Sequence, residues 1–168
     1  PANRRYRPAM RAVIGVTDND WAAYLRDRPS ITEANFWQPS PHGFKTLAPG
    51  EPFLFKTKDP SKFRDVDIPG YSLIGGGFFV EYVEQRASEA WMLWGKGNGV
   101  ANEAELVARA QGYRASRAFG AEPDPTIGCI ILRNLFFAVA GDEWQQPPNW
   151  SNNIVTGMAF DLSDPSGW

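Results

Sequence analysis

Glycine and proline interrupt this sequence so often that its regular elements must be short. The 168 residues include 16 glycines and 14 prolines, and both residue types end, bend or distort helices and strands. Apolar and aromatic runs lie between these interruptions, and the strongest strand signal among them is residues 126–139 (TIGCIILRNLFFAV). We therefore expect short strands that are joined by many tight connections.

The periodicity of the apolar residues predicts the element order β-α-β-β-β-α-α-β. The expected strands cover residues 11–16, 35–37, 52–58, 72–82 and 126–139, with a last short segment at 154–155. The expected helices cover residues 20–28, 88–94 and 102–113. A capping box formed by Asn102 and Glu105 opens the last helix. Because the strands are too few for a sandwich, the predicted class is α+β, with a small bent or barrel-like sheet flanked by helices.

Three consecutive glycines, Gly75 to Gly77, interrupt the strand that is predicted over residues 72–82. Glycines inside a strand mark a bulge, a bend or the close approach of another backbone. Two interpretations stay open for this run. It serves the curvature of the sheet, or it lets the backbone at Gly76 approach a ligand closely.

The formal net charge of −2 argues against a generic nucleic-acid binder, but the charges are unevenly distributed. Residues 1–58 hold 9 of the 17 basic residues and only 5 of the 19 acidic ones. A solvated terminal arm and a phosphate contact are both consistent with the basic cluster at the start of the chain. We expect residues 1–10 to form a basic arm and residues 11–168 to form a single domain. The clustered arginines are Arg4, Arg5, Arg7 and Arg11.

Cysteine and histidine are too rare for several classes of site. Cys129 is the single cysteine and His42 the single histidine, which excludes an intrachain disulfide, a cysteine zinc site and a multi-histidine metal site. No apolar run approaches the roughly 20 residues of a membrane helix, and no signal peptide is visible. We expect a cytoplasmic chain, a fragment of a longer protein, with no membrane contact, no metal and no cofactor. No Ser or Cys near His42 has the sequence context of a nucleophile elbow, so we expect no catalytic residues.

Aromatic residues are abundant, with 7 tryptophans, 11 phenylalanines and 5 tyrosines. Trp37 precedes a proline-rich loop, and Trp91 and Trp94 lie beside the glycine-rich segment 95–99. Tryptophans beside loops can wall a pocket for a flat ligand, and stacking a nucleobase contributes roughly 1–3 kcal/mol. The alternative is that each indole fills a gap between helix and sheet, and for any single tryptophan both interpretations stay open.

Several separated segments resemble a known family over about residues 11–157. Together they look like the N-terminal region of bacterial HNH-type restriction endonucleases, a region that is similar to the EVE domains of the PUA-like superfamily. The resemblance implies an EVE- or YTH-like fold, that is, a PUA-like bent sheet or barrel. The segments are 16–21 (VTDNDW), 35–40 (NFWQPS), 44–56 (FKTLAPGEPFLFK), 74–79 (IGGGFF), 127–132 (IGCIIL) and 150–155 (WSNNIV).

The resemblance implies a reader of modified cytosine, 5-methyl or 5-hydroxymethyl, in double-stranded DNA. In such a modification-dependent restriction enzyme the reader is coupled to a C-terminal HNH nuclease domain of the parent chain. An HNH site needs at least two histidines, and only His42 is present. This chain is therefore expected to bind and not to cut. A homodimer stays open, as do two alternative functions: an RNA-binding PUA-like module and a small PUA-like hydrolase using His42 or a Lys–Glu pair.

By analogy with the aromatic cage of YTH domains, the resemblance predicts a pocket for a flipped base. Trp37 would stack on the base, and Trp91 or Trp94 would contact its C5 substituent. Hydrogen bonds from Asn35 and Ser40 would read the Watson–Crick edge. The remaining pocket candidates are Phe36 and Gly76, and the candidate contacts to the DNA backbone are Arg4, Arg5, Arg7, Arg11, His42, Lys45 and Lys56.

Overall fold

The structure is a computed structural model that describes residues 9–59, 67–115, 122–151, 153–154 and 156–163. Arg4, Arg5 and Arg7 of the predicted basic arm lie outside the described residues. Within them the chain combines one mixed sheet with three α-helices, which confirms the predicted α+β class.

The strands and helices follow the predicted order, with two additional short strands near the end. The helices are α1 (Asn19–Arg26), α2 (Ala87–Trp94) and α3 (Glu103–Ala115), and a 3-10 helix over Gly95–Asn98 follows α2. The strands are β1 (Arg11–Val16), β2 (Glu33–Gln38), β3 (Pro52–Lys56), β4 (Ser72–Arg86), β5 (Thr126–Phe137), β6 (Trp144–Gln145) and β7 (Gly157–Asp161).

The sheet has the strand order β2-β5-β4-β3-β1-β7, with β6 paired to β4. β1 and β3 are parallel, with Val16 opposite Lys56, while the other described pairs are antiparallel. Register shifts interrupt β4 where it pairs with β3 and with β5, and such bulges bend a sheet. Phe36 of β2 and Met158 of β7 line the same cavity. The two ends of the strand path therefore face each other, and the sheet is bent as predicted.

The core lies on both sides of β5, because its residues are buried continuously from Ile127 to Leu132. One cluster packs α1 against the sheet and contains Trp21, Phe53, Phe55 and Leu132. A second cluster packs α2 and α3 against the opposite face of β5. Its members include Ala90, Leu106, Ala110, Cys129 and Ile131. Cys129 is buried as predicted, and this burial raises its pKa to about 11.

The glycine run of β4 is required by the neighbouring strands. A Cβ atom on Gly75 would lie 2.2 Å from the carbonyl oxygen of Phe136, and one on Gly76 would lie 2.6 Å from that of Phe53. Real Cβ atoms do not approach a backbone so closely, so these positions accept only glycine. Of the two interpretations left open by the sequence, the structure favours sheet curvature, because the register of β4 with β5 shifts between Gly76 and Phe78. Gly76 therefore contacts the neighbouring strands and does not line the cavity described below.

Local signals predicted the element ends within a few residues, with one clear exception. At the start of α3 the Glu105 N–H donates to Asn102 Oδ1 over 2.9 Å, and the Ala101 N–H donates to Glu105 Oε2 over 3.0 Å. The last strand was placed wrongly. It forms at Gly157–Asp161, where it pairs with the outer edge of β1, and Ile154 precedes it. Residue 155 lies outside the described part of the chain.

Candidate functional site

A cavity of about 150 Å³ opens at the end of the sheet where β1 and β2 finish and α1 begins. Four aromatic rings wall it, those of Trp21, Phe36, Trp37 and Tyr113. An aromatic wall with a few polar groups is the usual form of a small-molecule or base site. The other lining residues are Val16, Thr17, Asp18, Gln38, Pro39, Ser40, His42, Lys58, Arg109 and Thr156.

The ring of Trp37 is held in place by contacts on the side of the second core cluster. Its Nε1–H donates to the carbonyl oxygen of Asn98 over 3.2 Å, and the Tyr113 ring meets it edge to face with 6.0 Å between centroids. The Asn98 side chain is itself held, since its Oδ1 accepts from Asn35 Nδ2 over 2.9 Å. Trp37 therefore presents a fixed wall, which reduces the entropy that a stacking ligand would have to overcome.

Trp21 forms the inner wall of the cavity and belongs to the first core cluster. Its ring meets Phe36 and Phe55 edge to face at centroid distances of 5.4 and 5.1 Å. Gly99 packs directly on the indole, because a Cβ there would lie 2.1 Å from Trp21 Cδ1. The Trp21 Nε1–H is buried without a hydrogen-bond partner among the described residues. The inner wall is therefore part of the rigid core.

A carboxylate and an ammonium group lie side by side in the lining. Asp18 forms an ion pair with Lys58, and their side chains are 17% and 35% exposed. Since β1 and β3 are parallel neighbours, the residues that follow them emerge at the same end of the sheet. Asn19 ties the segments together, as the Lys58 N–H donates to Asn19 Oδ1 over 2.7 Å and Asn19 Nδ2 donates to Lys58 O over 3.3 Å.

The sequence analysis missed Asp18 and Lys58 as site residues. The available signal was a charged residue shortly after each of two strands, at positions 40 residues apart. That signal identifies a site only if the two strands are parallel neighbours, and the hydrophobic pattern does not reveal which strands pair.

Arg109 of α3 stands at the rim of the cavity with its charge already compensated. Its guanidinium lies 2.8 Å from Asp20 Oδ2 and 2.7 Å from Glu105 Oε1. These contacts join α3 to the first turn of α1. Arg109 therefore links the two helices at the entrance, and Tyr113 lies one turn further along α3.

The loop after β2 separates the aromatic cavity from a second cavity of about 290 Å³. Phe36, Gln38 and His42 line both cavities. His42 is exposed, and its Nδ1 lies 2.8 Å from the carbonyl oxygen of Ser40, to which a protonated Nδ1 donates. Lys45 is exposed and lines the second cavity. His42 therefore lies in the wall that the two cavities share, and Lys45 lies in the second cavity alone.

Several predicted site residues do come together, and several do not. Phe36, Trp37, Ser40 and His42 line the aromatic cavity, and Lys45 lines its neighbour. The residues of the predicted pocket that line neither cavity are Asn35, Gly76, Trp91 and Trp94. Asn35 is fully buried against Asn98, and Trp91 and Trp94 pack on the second core cluster. Trp21 and Tyr113 form the walls that the sequence analysis assigned to Trp91 or Trp94.

Lys56 is not available for a phosphate contact, because its side chain is buried. Lys56 is only 3% exposed, and its ammonium lies 5.1 Å from the ring centre of Trp150 and 5.5 Å from that of Tyr71. Nζ donates to the carbonyl oxygen of Thr57 over 3.2 Å. Burial lowers the pKa of Lys56. The prediction that Lys56 binds the DNA backbone is therefore wrong.

Arg11 is exposed, but it lies away from the aromatic cavity. It begins β1, whereas Val16 at the other end of that strand lines the cavity. Five steps along a strand correspond to about 17 Å. A phosphate contact at Arg11 would therefore be remote from a base in the cavity, and Arg4, Arg5 and Arg7 lie outside the described residues.

Comparison with known proteins assigns the fold. No family model matches the chain, and neither does any curated protein. Among solved structures, the chain is similar to the ASCH protein of Zymomonas mobilis, with a TM-score of 0.52 and 11% identity over 90% of this chain and 87% of that one. A point mutant of that protein gives the same TM-score and identity over 90% and 89%. ASCH domains have the PUA-like fold and are related to EVE domains, so the predicted PUA-like fold is confirmed.

Two further findings concern the described ranges alone. No helix within them is long and apolar enough to cross a membrane. No three His, Cys, Asp or Glu side chains within them are grouped so that they could hold a metal ion.

Proposed function

We propose that this chain is a nucleic-acid-binding module that holds one extruded DNA base in its aromatic cavity. The observation that carries the proposal is the set of four aromatic rings around a cavity of about 150 Å³. An apolar cavity of this size accommodates a benzene ring, and the wall contributed by Trp37 is fixed in advance by Asn98 and Tyr113. The site thus suits a single flat, six-membered ring.

The free energy gained by stacking a base in the cavity is similar in size to the cost of extruding it from the duplex. Extruding a base from a duplex costs a few kcal/mol, and stacking it on an aromatic side chain contributes roughly 1–3 kcal/mol. Contacts to the phosphates supply the remainder in a salt-dependent manner. His42 and Lys45 are the exposed candidates for these contacts beside the cavity.

The proposed ligand is cytosine with a 5-methyl or 5-hydroxymethyl group in double-stranded DNA. This finer assignment rests on the resemblance to the N-terminal region of HNH-type restriction endonucleases. In this view the chain supplies specificity in the cytoplasm, and an HNH nuclease domain elsewhere in the parent protein cuts the DNA. An apolar C5 substituent fits the aromatic walls, since a methyl group gains free energy when it leaves water.

A titration followed by fluorescence anisotropy tests the proposal at one fixed salt concentration. Labelled duplexes that differ only in one cytosine, unmodified, 5-methyl or 5-hydroxymethyl, are compared with the wild-type chain. We expect tighter binding of a modified duplex, and equal affinities for all three would contradict the proposal.

Variants of Trp37 connect that preference to the cavity. Trp37→Ala removes the stacking surface and is expected to abolish the preference, while Trp37→Phe keeps a ring but loses the hydrogen bond to Asn98 and should be intermediate. Trp144→Ala is the matched control, because Trp144 is 49% exposed and lines neither cavity. A folded Trp37→Ala protein that retained the wild-type preference would remove Trp37 from the site.

Matched RNA oligonucleotides separate DNA reading from the alternative of an RNA-binding module, which would use 2′-hydroxyl contacts. Tighter binding of the RNA would favour that alternative. Turnover of a nucleoside or amide substrate that is lost in His42→Ala would favour a hydrolase instead.

A further inference from the structure

We infer that Asp18 and Lys58 read the Watson–Crick edge of the extruded base and select cytosine. The inference rests on the proposed function and names the specificity-determining residues of the same cavity. Both side chains line that cavity, and neither belongs to the aromatic walls. Their opposite charges make them a paired acceptor and donor next to the stacking surface.

The pair is preorganised by the fold. Asp18 follows β1 and Lys58 follows β3, and the parallel register of these strands brings both to one end of the sheet. The two hydrogen bonds between the Asn19 side chain and the Lys58 backbone fix the spacing of the segments. A site that is positioned in this way loses little entropy when it engages a ligand.

Hydrogen-bonding capacity remains on both groups after they pair with each other. The ion pair uses Oδ1 of Asp18, and within the described residues no hydrogen bond occupies Oδ2. A lysine ammonium has three N–H donors and no acceptor. Within the described residues Lys58 commits one of these donors, to Asp18 Oδ1, so two donors remain for a ligand.

The edge of cytosine complements this pair. Cytosine presents the N4 amino group as a donor next to the N3 and O2 acceptors, and aspartate accepting from N4 is an established pairing. Asp18 would accept from N4 while Lys58 donates to N3. Methylation at C5 leaves this edge unchanged, so the pair reads the base and the aromatic walls read the substituent.

Thymine and adenine differ from cytosine in their Watson–Crick edge or in their size. Thymine places its O4 acceptor against the carboxylate and its N3–H donor against the ammonium, so both contacts become repulsive. Adenine offers a donor beside an acceptor as cytosine does, so only the fit of its larger two-ring system between the aromatic walls distinguishes it. A polar group left unpaired inside the site adds to the discrimination.

Comparing 5-methylcytosine with thymine isolates the edge, because both bases carry the same C5 methyl group. The probes are two duplexes with either 5-methylcytosine or thymine opposite the same guanine. The thymine mismatch is easier to extrude, so edge reading must overcome that advantage. We expect the wild-type chain to bind the 5-methylcytosine duplex at least about tenfold more tightly.

Substitutions of Asp18 or Lys58 should remove this preference for 5-methylcytosine over thymine. Asp18→Asn offers both a donor and an acceptor, so the affinity ratio of 5-methylcytosine to thymine is expected to fall to one or below, and Lys58→Met should lower it as well. Asparagine is as good as aspartate at a helix N-cap, which is the position of Asp18 in α1. Asp27→Asn, at the other end of α1 and with its side chain 63% exposed, is the matched control that should keep the wild-type ratio.

The outcomes separate this inference from the proposed function. If modified and unmodified cytosine bind equally and Trp37→Ala has no effect, both are overturned. If the modification preference depends on Trp37 but the wild-type chain binds thymine as tightly as 5-methylcytosine, only the inference fails. It also fails if folded Asp18→Asn keeps the wild-type ratio. Should Asp18→Asn not fold, as judged by thermal melting, the ratio measured for Lys58→Met decides.

Discussion

Trp37 at the end of β2 and the two tryptophans of α2 differ in what covers their outer faces. Trp37, Trp91 and Trp94 all pack against the second core cluster, yet of these three only Trp37 also lines the aromatic cavity. The difference comes from position, since Trp37 lies where the sheet ends, whereas the α2 tryptophans lie where a helix packs on it. An aromatic residue becomes a candidate binding surface when the fold leaves open space on one of its sides.

The segment after α2 connects these two regions. Asn98 donates to the carbonyl oxygen of Ala90 in α2 over 3.0 Å, and its own carbonyl oxygen accepts from Trp37. The next residue, Gly99, packs on Trp21. The α2 region therefore supports two walls of the cavity without lining it, and the following substitutions test this division of roles.

The largest effect is expected for Gly99→Ala. Gly99 has φ +73°, and a Cβ there would lie 2.1 Å from Trp21 Cδ1. Left-handed strain and overpacking together should lower the free energy of unfolding by about 3 kcal/mol. The matched control is Gly43→Ala, with φ +78° and open space around the added Cβ, which should cost about 1 kcal/mol. Equal losses in urea denaturation would contradict the close packing of Gly99 on Trp21.

Trp91→Ala should separate stability from binding. Truncating a half-buried tryptophan of the second core cluster is expected to lower the free energy of unfolding by about 2 kcal/mol. The preference for modified over unmodified duplex should not change for the folded fraction, whereas Trp37→Ala should abolish it. Urea denaturation and anisotropy titration of the same samples measure both effects. A lost preference in folded Trp91→Ala would place Trp91 in the site.

The smallest effect is expected for Lys56→Met, which probes packing beneath a third tryptophan, Trp150. Methionine has a side chain of similar length but no charge, so the substitution should raise the free energy of unfolding by about 1 kcal/mol or less. DNA binding should be unaffected, since Lys56 lines neither cavity. Lys58→Met, only two residues away, should instead alter base selection.

The pH dependence of stability provides a second test of Lys56. Burial lowers its pKa from the ordinary value of 10.5, so between the lowered pKa and 10.5 the unfolded chain binds more protons than the folded one. Lys56 therefore makes the free energy of unfolding rise as the pH rises through that window. Lys56→Met should remove this contribution, and an unchanged pH profile measured by denaturation would contradict the burial of the ammonium.

Local patterns predicted most elements because the apolar periodicity and the capping residues that indicate a strand or helix lie within that element or next to it. The run 126–139 and the Asn102 capping box each needed only a few neighbours to be recognised. β7 was missed because Gly157–Asp161 is half exposed and gains its strand structure from pairing with β1. Pairing between distant segments leaves no local pattern.

The candidate site was predictable only where a local pattern indicated it. The loop beside Trp37 indicated an accessible ring, and Trp37 does line the cavity. Asn35 lies on the same face of β2 but two residues deeper, where Asn98 covers it. Asp18 and Lys58 meet only because β1 and β3 are parallel neighbours, and a single sequence does not reveal strand order.

The indole N–H signals of the seven tryptophans provide the most direct test that the aromatic cavity holds the base. In a heteronuclear NMR spectrum each indole gives its own signal, which a single Trp→Phe variant assigns. The chain is titrated with the 5-methylcytosine duplex and with its unmodified counterpart. We predict that the signals of Trp37 and Trp21 shift most, and only with the modified duplex. Shifts at Trp91, Trp94 or Trp144 with Trp37 and Trp21 unchanged would contradict the account.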